Sequence, residues 1–393
     1  VPGVLASIGI AAGMLAGAAL AAGAHSASGA GERAGTLLTV APVNRVLELP
    51  HAARTSLITY LSEDAHGRKI VVSGTVSVPK GTAPAGGWPV ISWAHGTTGV
   101  ADACAPSASF PGGPVSDYVD LASAMLDSWV ARGYAIAATD YEGLGTPGIH
   151  PYMNGRSEAN TVEDIVTAAR QWNHDIGTRW AVVGHSQGGA AALFTATQAG
   201  RRTSKLKLVA AVAMAPGGYG LAQTMEYIVA HPEDKAAIAF LPVILLGAQA
   251  AEPSLNIESM LTPAGTRLIN AGRVQCLSDL REVASSMEGS QIFVNADVTA
   301  LKTYLQTQDI VNTRPVVPVM FAQGETDALV PLANTDKIVE MTCRQKKVPV
   351  NYRRYPGTDH RGVLKAAEQD VADYLDKLLR PGRTQAPANN CPT

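Results

Sequence analysis

Charge is scarce in this chain of 393 residues: Asp, Glu, Lys and Arg make up 16% of it, against about 25% in an average soluble protein. The two signs nearly balance, leaving a formal charge of −2 and no block of Lys or Arg. This argues against nucleic acid or an anionic membrane surface as an electrostatic partner. So few charges among so many apolar residues also exclude a disordered chain. Cysteine is equally sparse. Cys104, Cys276, Cys343 and Cys391 are widely spaced with no C-x-x-C, so neither a zinc site nor a thioredoxin-like motif is expected. No H-E-x-x-H, EF-hand or Walker pattern occurs, and no repeat is visible, so neither a bound metal nor a cofactor is expected.

What is present is apolar: 46% of the residues are hydrophobic, enough to build a large core without metal or disulfide staples. The first 24 residues carry no charge at all. They read as the apolar region of a secretory signal, with Ala22-Gly23-Ala24 as the cleavage pattern before His25, which makes the chain an exported one. An uncleaved anchor is the rival reading, because the run is long enough to span a bilayer. Its Ala and Gly content favours the signal. In an exported chain four cysteines suggest two disulfides, and spacing alone leaves all three pairings open.

Further along, short apolar runs alternate with longer amphipathic ones. Strands are expected at 70–79, 88–95, 134–140, 180–184, 206–213, 317–322 and 348–355, and helices at 117–132, 161–172, 188–198, 334–344 and 362–379. Several strands are continuous runs of Val, Ile and Ala, as in a parallel sheet buried on both faces. The alternation predicts an α/β fold with a mostly parallel sheet flanked by helices. Residues 217–314 break the rhythm, being mostly helical without a good strand candidate. Within them AAIAFLPVILLGAQAA (236–251) is too short for a membrane span, and Pro242 interrupts it. It reads as the core of a helical insertion or as the wall of an acyl site.

One motif carries chemistry. The apolar run Trp180 to Val183 leads into Gly184-His185-Ser186-Gln187-Gly188 and then an Ala-rich helix. Strand, G-x-S-x-G and helix in this order form a nucleophile elbow, which exposes the hydroxyl of Ser186 on a strained turn. The following helix points its N-terminal N–H groups at the same place. His185 is expected only to pack. A serine needs a base and a group to orient that base, and on this elbow the chain order is Ser, acid, His. Asp327 follows a strand candidate and precedes a helix, with Glu325 and Asp336 as weaker rivals. His360 is the last histidine of the chain and follows the last strand, and its neighbour Asp359 is taken as structural. Oxyanion donors are expected from the backbone of Gln187 and from Thr97 in the His95-Gly96-Thr97 turn, whose hydroxyl could add a second donor. Gly143 to Gly148 match G-x-G-x-x-G, but Pro147 and Pro151 block the helix that a dinucleotide site requires.

WAHGTTG with DACAPS behind it, ATDYEGLG, the GHSQGG elbow, Asp327 and His360 together resemble the secretory lipase family, the Candida-type lipase A group of the α/β-hydrolases. The resemblance covers about residues 40–393. It implies an α/β-hydrolase core over 36–216 and 315–380 with a helical lid over 217–314 and a disulfide-held tail over 381–393. It also implies hydrolysis of small-molecule or lipid esters without metal or cofactor, lipid contact being made through the lid. Its disulfide pattern would pair Cys104 with Cys276 and Cys343 with Cys391. The chain departs from the yeast member at Thr97, where that protein has an aspartate, and it stops two residues after Cys391, where that protein has an extension. An acyltransferase or a serine peptidase or amidase could use the same three residues. A binding protein on this fold would usually have lost one of them, and none is lost here.

Overall fold

A computed structural model describes residues 33–202, 205–294, 297–380 and 387–391. The signal expected at residues 1–24, and residues 381–386 and 392–393 of the tail, lie outside the described residues.

Nine strands form one sheet: β1 (Leu37–Pro42), β2 (Ala52–Glu63), β3 (Lys69–Pro79), β4 (Trp88–Ala94), β5 (Ala135–Thr139), β6 (Ile176–His185), β7 (Lys207–Met214), β8 (Val319–Gly324) and β9 (Val350–Tyr355). Their spatial order is β1-β2-β3-β5-β4-β6-β7-β8-β9. The first three strands pair antiparallel, and β3 meets β5 antiparallel. From β5 to β9 every pair is parallel. Helices α1 (Ser116–Ala131), α2 (Gly155–Trp172) and α3 (Gln187–Gln198) follow β4, β5 and β6 in turn. The pleat of β4 explains the layers: Ile91 and Trp93 pack with α1, while Val90 and Ala94 pack with α2 and α3. A fully buried Val or Ile such as Val90 or Ile91 stabilises the fold by roughly 1.5–3 kcal/mol.

Between β7 and β8 the chain forms α4 (Leu221–Ala230), α5 (Lys235–Ile238), α6 (Leu241–Ala251), α7 (Pro263–Gly272), α8 (Leu277–Ser285) and α9 (Thr299–Gln308). Among the described residues there, strand-type pairing is confined to a single bridge, Leu261 with Phe293. Pro242 begins a helix instead of breaking one: it lies in the first turn of α6, where its missing N–H has no role. Leu241, Val243, Leu245 and Leu246 of α6 are buried, and they share one apolar cluster with Ala190 and Leu193 of α3 and Phe321 of β8. The insertion is therefore packed onto the sheet by the same side chains that form its own interior. No helix among the described residues is long and apolar enough to cross a membrane.

After β8 come α10 (Leu332–Arg344), α11 (Gly362–Ala366) and α12 (Glu368–Leu379). The last two correspond to one expected helix, interrupted at Ala367. Cys104 is bonded to Cys276, which joins the loop after β4 to the start of α8. Cys343 is bonded to Cys391, which ties α10 to the tail. Each closed loop stabilises by about 2–4 kcal/mol on the chain-entropy argument. The tail then lies along the edge strand β9: Asn390 N–H donates to the Val350 carbonyl at 2.9 Å, and its side chain bonds both backbone groups of Tyr352 at 2.6 and 2.8 Å. A free strand edge is thereby covered.

Candidate active site

Ser186, Asp327 and His360 come from the C-terminal ends of three parallel strands, β6, β8 and β9, where ligands of open α/β sheets bind. Ser186 has φ 58° and ψ −117°, a conformation that an L-residue adopts only when its surroundings impose it. The surroundings are visible. A Cβ on Gly184 would lie 1.9 Å from the Gly188 carbonyl oxygen, and one on Gly188 would lie 1.8 Å from that of Ala94. Strand β6, helix α3 and strand β4 thus meet backbone to backbone, and the chain between them has only the sharp turn open to it. The Ser186 N–H donates to the Met214 carbonyl at 2.9 Å, and its own carbonyl accepts from Gly189 and Gly217 at 2.9 and 3.0 Å.

His360 Nε2 lies 2.9 Å from the Ser186 hydroxyl, and its Nδ1 lies 2.8 Å from Asp327 Oδ2. Asp327 Oδ1 accepts from the backbone of Leu329 and Val330 at 2.9 and 2.8 Å, and Oδ2 also accepts from Gln323 Nε2 at 3.1 Å. Burial alone would raise this carboxyl. The donors, led by His360, outweigh burial and hold it below the ordinary carboxylate value. Asp327 is thus an anion with a fixed orientation. The rivals stand elsewhere: Glu325 is exposed, and Asp336 accepts from Tyr352 and Arg354. Asp359 accepts from Gly362 at the start of α11.

Among the described residues, neither the Gln187 nor the Thr97 backbone N–H has a hydrogen-bond acceptor. Gln187 is the residue after Ser186, and Thr97 stands in the turn after β4, whose Gly96 lies against His185: a Cβ there would be 3.3 Å from the His185 carbonyl oxygen. The Thr97 hydroxyl bonds the Tyr152 hydroxyl at 3.0 Å, and either oxygen can be the donor. Tyr152 packs against the apolar cluster of the helical insertion. Among the described residues, no group of three or more His, Cys, Asp or Glu could hold a metal ion.

A buried acid below the site escaped the sequence. Glu158 Oε1 accepts from Gln187 Nε2 at 2.7 Å and from the Met153 N–H at 2.9 Å, while its Oε2 meets no donor. Burial raises its pKa from 4.5 to about 8, although both donors lower it. His150 completes the clamp. Its Nδ1 must donate to the Glu142 carbonyl at 2.9 Å, so its Nε2 accepts from Gln187 Nε2 at 2.7 Å. Burial lowers His150 to about 3, so it is neutral. The clamp fixes the side chain of Gln187 and, through it, the first turn of α3. Because Glu158 holds its proton more tightly folded than unfolded, its contribution to stability is full below pH 4.5 and is lost as pH rises through about 8. Glu158→Gln removes that loss. The melting temperature of the variant minus that of the wild type is expected to increase steadily from pH 5 to pH 8. A difference constant across this range would contradict the assignment.

The family model that matches the chain is that of the secretory lipases, over residues 117–371. No curated protein matches it. Among solved structures, the closed state of lipase A from Candida antarctica superposes with a TM-score of 0.75 at 16% identity, covering 92% of this chain and 86% of that one. The rice cell wall degrading esterase LipA from Xanthomonas oryzae gives a TM-score of 0.69 at 18% identity, covering 88% of this chain and 98% of that one. With the mixed nine-stranded sheet flanked by helices, these likenesses identify the α/β-hydrolase fold, and the family match extends across the elbow and both later loops. The chain belongs to the secretory lipase family and is a carboxylic ester hydrolase.

Proposed function

We propose that Ser186 is the nucleophile, His360 the general base and acid, and Asp327 the residue that orients the imidazole and stabilises its cation. The observation that carries this reading is the continuous hydrogen-bonded chain from the Ser186 hydroxyl through both ring nitrogens of His360 to Asp327. Ser186 attacks the ester carbonyl as its proton passes to His360 Nε2. The tetrahedral oxyanion is held by the N–H groups of Gln187 and Thr97, and its collapse expels the alcohol, protonated by His360. Water then attacks the acyl-enzyme by the same route.

The helical insertion, residues 217–314, acts in this reading as a lid and acyl-binding wall. The apolar interior of α6 and the 9% exposure of Ser186 support it. Two disulfides and the secretory character of the family support export. The substrate in this reading is an acyl ester rather than an amide, in keeping with the secretory lipase family and the apolar interior of α6.

A panel of p-nitrophenyl esters from short to long acyl chains, measured below and above their solubility limits beside matching p-nitroanilides, tests this. Esters are expected to turn over and anilides not, with the rate rising once the ester forms an interface. Comparable cleavage of the anilides would establish a peptidase or amidase instead. Acyl transfer to an added alcohol that outruns hydrolysis would establish an acyltransferase.

A further inference from the structure

His185 precedes the candidate nucleophile, and its packing position hides two polar contacts. Its Nε2 lies 2.8 Å from the backbone carbonyl of His360, and its Nδ1 lies 3.2 Å from the Tyr118 hydroxyl. The Tyr118 hydroxyl is in turn 2.6 Å from the Gly96 N–H. The two ends of this chain fix the direction of every bond. A carbonyl can only accept, so His185 carries its proton on Nε2 and leaves Nδ1 as an acceptor. The Tyr118 hydroxyl therefore donates to Nδ1 and accepts from Gly96, whose N–H can only donate. Burial keeps the imidazole neutral, with a pKa lowered to about 3. Both side chains are buried, His185 at 1% and Tyr118 at 6% exposure, so neither can exchange these partners for water.

The contacts are close on all sides. A Cβ on Gly96 would lie 2.9 Å from the Tyr118 oxygen and 3.1 Å from His185 Nδ1, so the backbone of the oxyanion turn rests directly on the pair. The rings of His185 and His360 are 4.7 Å apart. The Arg361 guanidinium lies over the Tyr118 ring at 5.6 Å.

We propose that Tyr118 and His185 are positioning residues: their relay ties the turn that presents the Thr97 N–H to the loop that presents the His360 imidazole. This rests on the catalytic roles proposed above and adds a separate device to them. The two loops come from opposite parts of the chain, follow strands β4 and β9 that are not neighbours in the sheet, and must agree in position to a fraction of an ångström. The relay supplies that agreement through three hydrogen bonds in series, so losing any one of them undoes it.

The test uses Tyr118→Phe, His185→Leu and the double variant, with rates normalised to fluorophosphonate-titrated sites so that only folded, reactive enzyme counts. Each single variant is expected to lower kcat by about 10- to 100-fold with KM within about twofold, and the double variant to be no slower than His185→Leu. His185→Gln keeps an amide N–H for the His360 carbonyl and is expected to recover part of the loss. Multiplying effects in the double variant, or losses confined to KM, would overturn the relay. Protein labelled with ¹⁵N-histidine gives a readout that does not depend on activity: His185 should be an Nε2–H tautomer, and Tyr118→Phe should move the His360 ring resonances without touching that ring. A wild type inert toward esters would refute the catalytic reading, while the tautomer and the shift would still decide the relay. A His185 protonated on Nδ1 would refute the relay alone.

Discussion

Ser186→Ala is expected to lower kcat/KM for a p-nitrophenyl ester by about 10⁴- to 10⁶-fold and to abolish fluorophosphonate labelling, with the melting temperature nearly unchanged. The fold survives because the elbow is held by backbone contacts that alanine keeps: the bond to Met214 and those from Gly189 and Gly217. The strained φ of 58° gains nothing from the substitution, since serine and alanine share the same Cβ. What disappears is one oxygen, 2.9 Å from His360 Nε2. The residual rate is whatever binding and the N–H groups of Thr97 and Gln187 supply without a nucleophile. Labelling that persists in the variant would mean that another side chain is the nucleophile.

The parallel half of the sheet was legible in the sequence because strands buried on both faces need continuous apolar runs, as Ala135 to Thr139 and Lys207 to Met214 show. β1 and β2 were not read. They are antiparallel strands at the sheet's first edge, and their alternation of Thr, Ser and Leu, half exposed, gives no such run. α2 was expected to begin at residue 161 but begins at Gly155, because its first turns are polar and yet buried. Apolar periodicity cannot find a turn whose Ser157, Glu158 and Asn160 bond to partners remote in the chain. The same blindness hid the rest of the site. Ser186, Asp327 and His360 stand in loops with a local signature, whereas Tyr118, His150 and Glu158 earn their contacts only after the sheet brings distant segments together. His185 is the intermediate case, visible within the elbow but with a role that depends on a tyrosine 67 positions away.

Asp327→Asn should cost about as much as a lost base, roughly 10⁴-fold in kcat, although it changes one atom. The reason lies in which oxygen is committed. Oδ1 accepts from the Leu329 and Val330 N–H groups, which cannot turn into acceptors. An asparagine must therefore keep its carbonyl oxygen there and put its NH₂ where Oδ2 stood. That NH₂ would face Gln323 Nε2, also a donor, and His360 Nδ1. The imidazole can meet it only by surrendering the Nδ1 proton and carrying its proton on Nε2 instead, so that an N–H rather than a lone pair faces the Ser186 hydroxyl. The base is lost while every heavy atom stays near its place, so KM should change little and the melting temperature only modestly. Asp336→Asn is the control: its partners Tyr352 and Arg354 belong to β9 and not to the triad, and an exposed ion pair such as Asp336 with Arg354 is worth about 1 kcal/mol or less, so kcat should remain within about threefold of the wild type. An Asp327→Asn enzyme that kept a tenth of its kcat, or an Asp336→Asn enzyme that lost most of it, would move the orienting carboxylate to another residue.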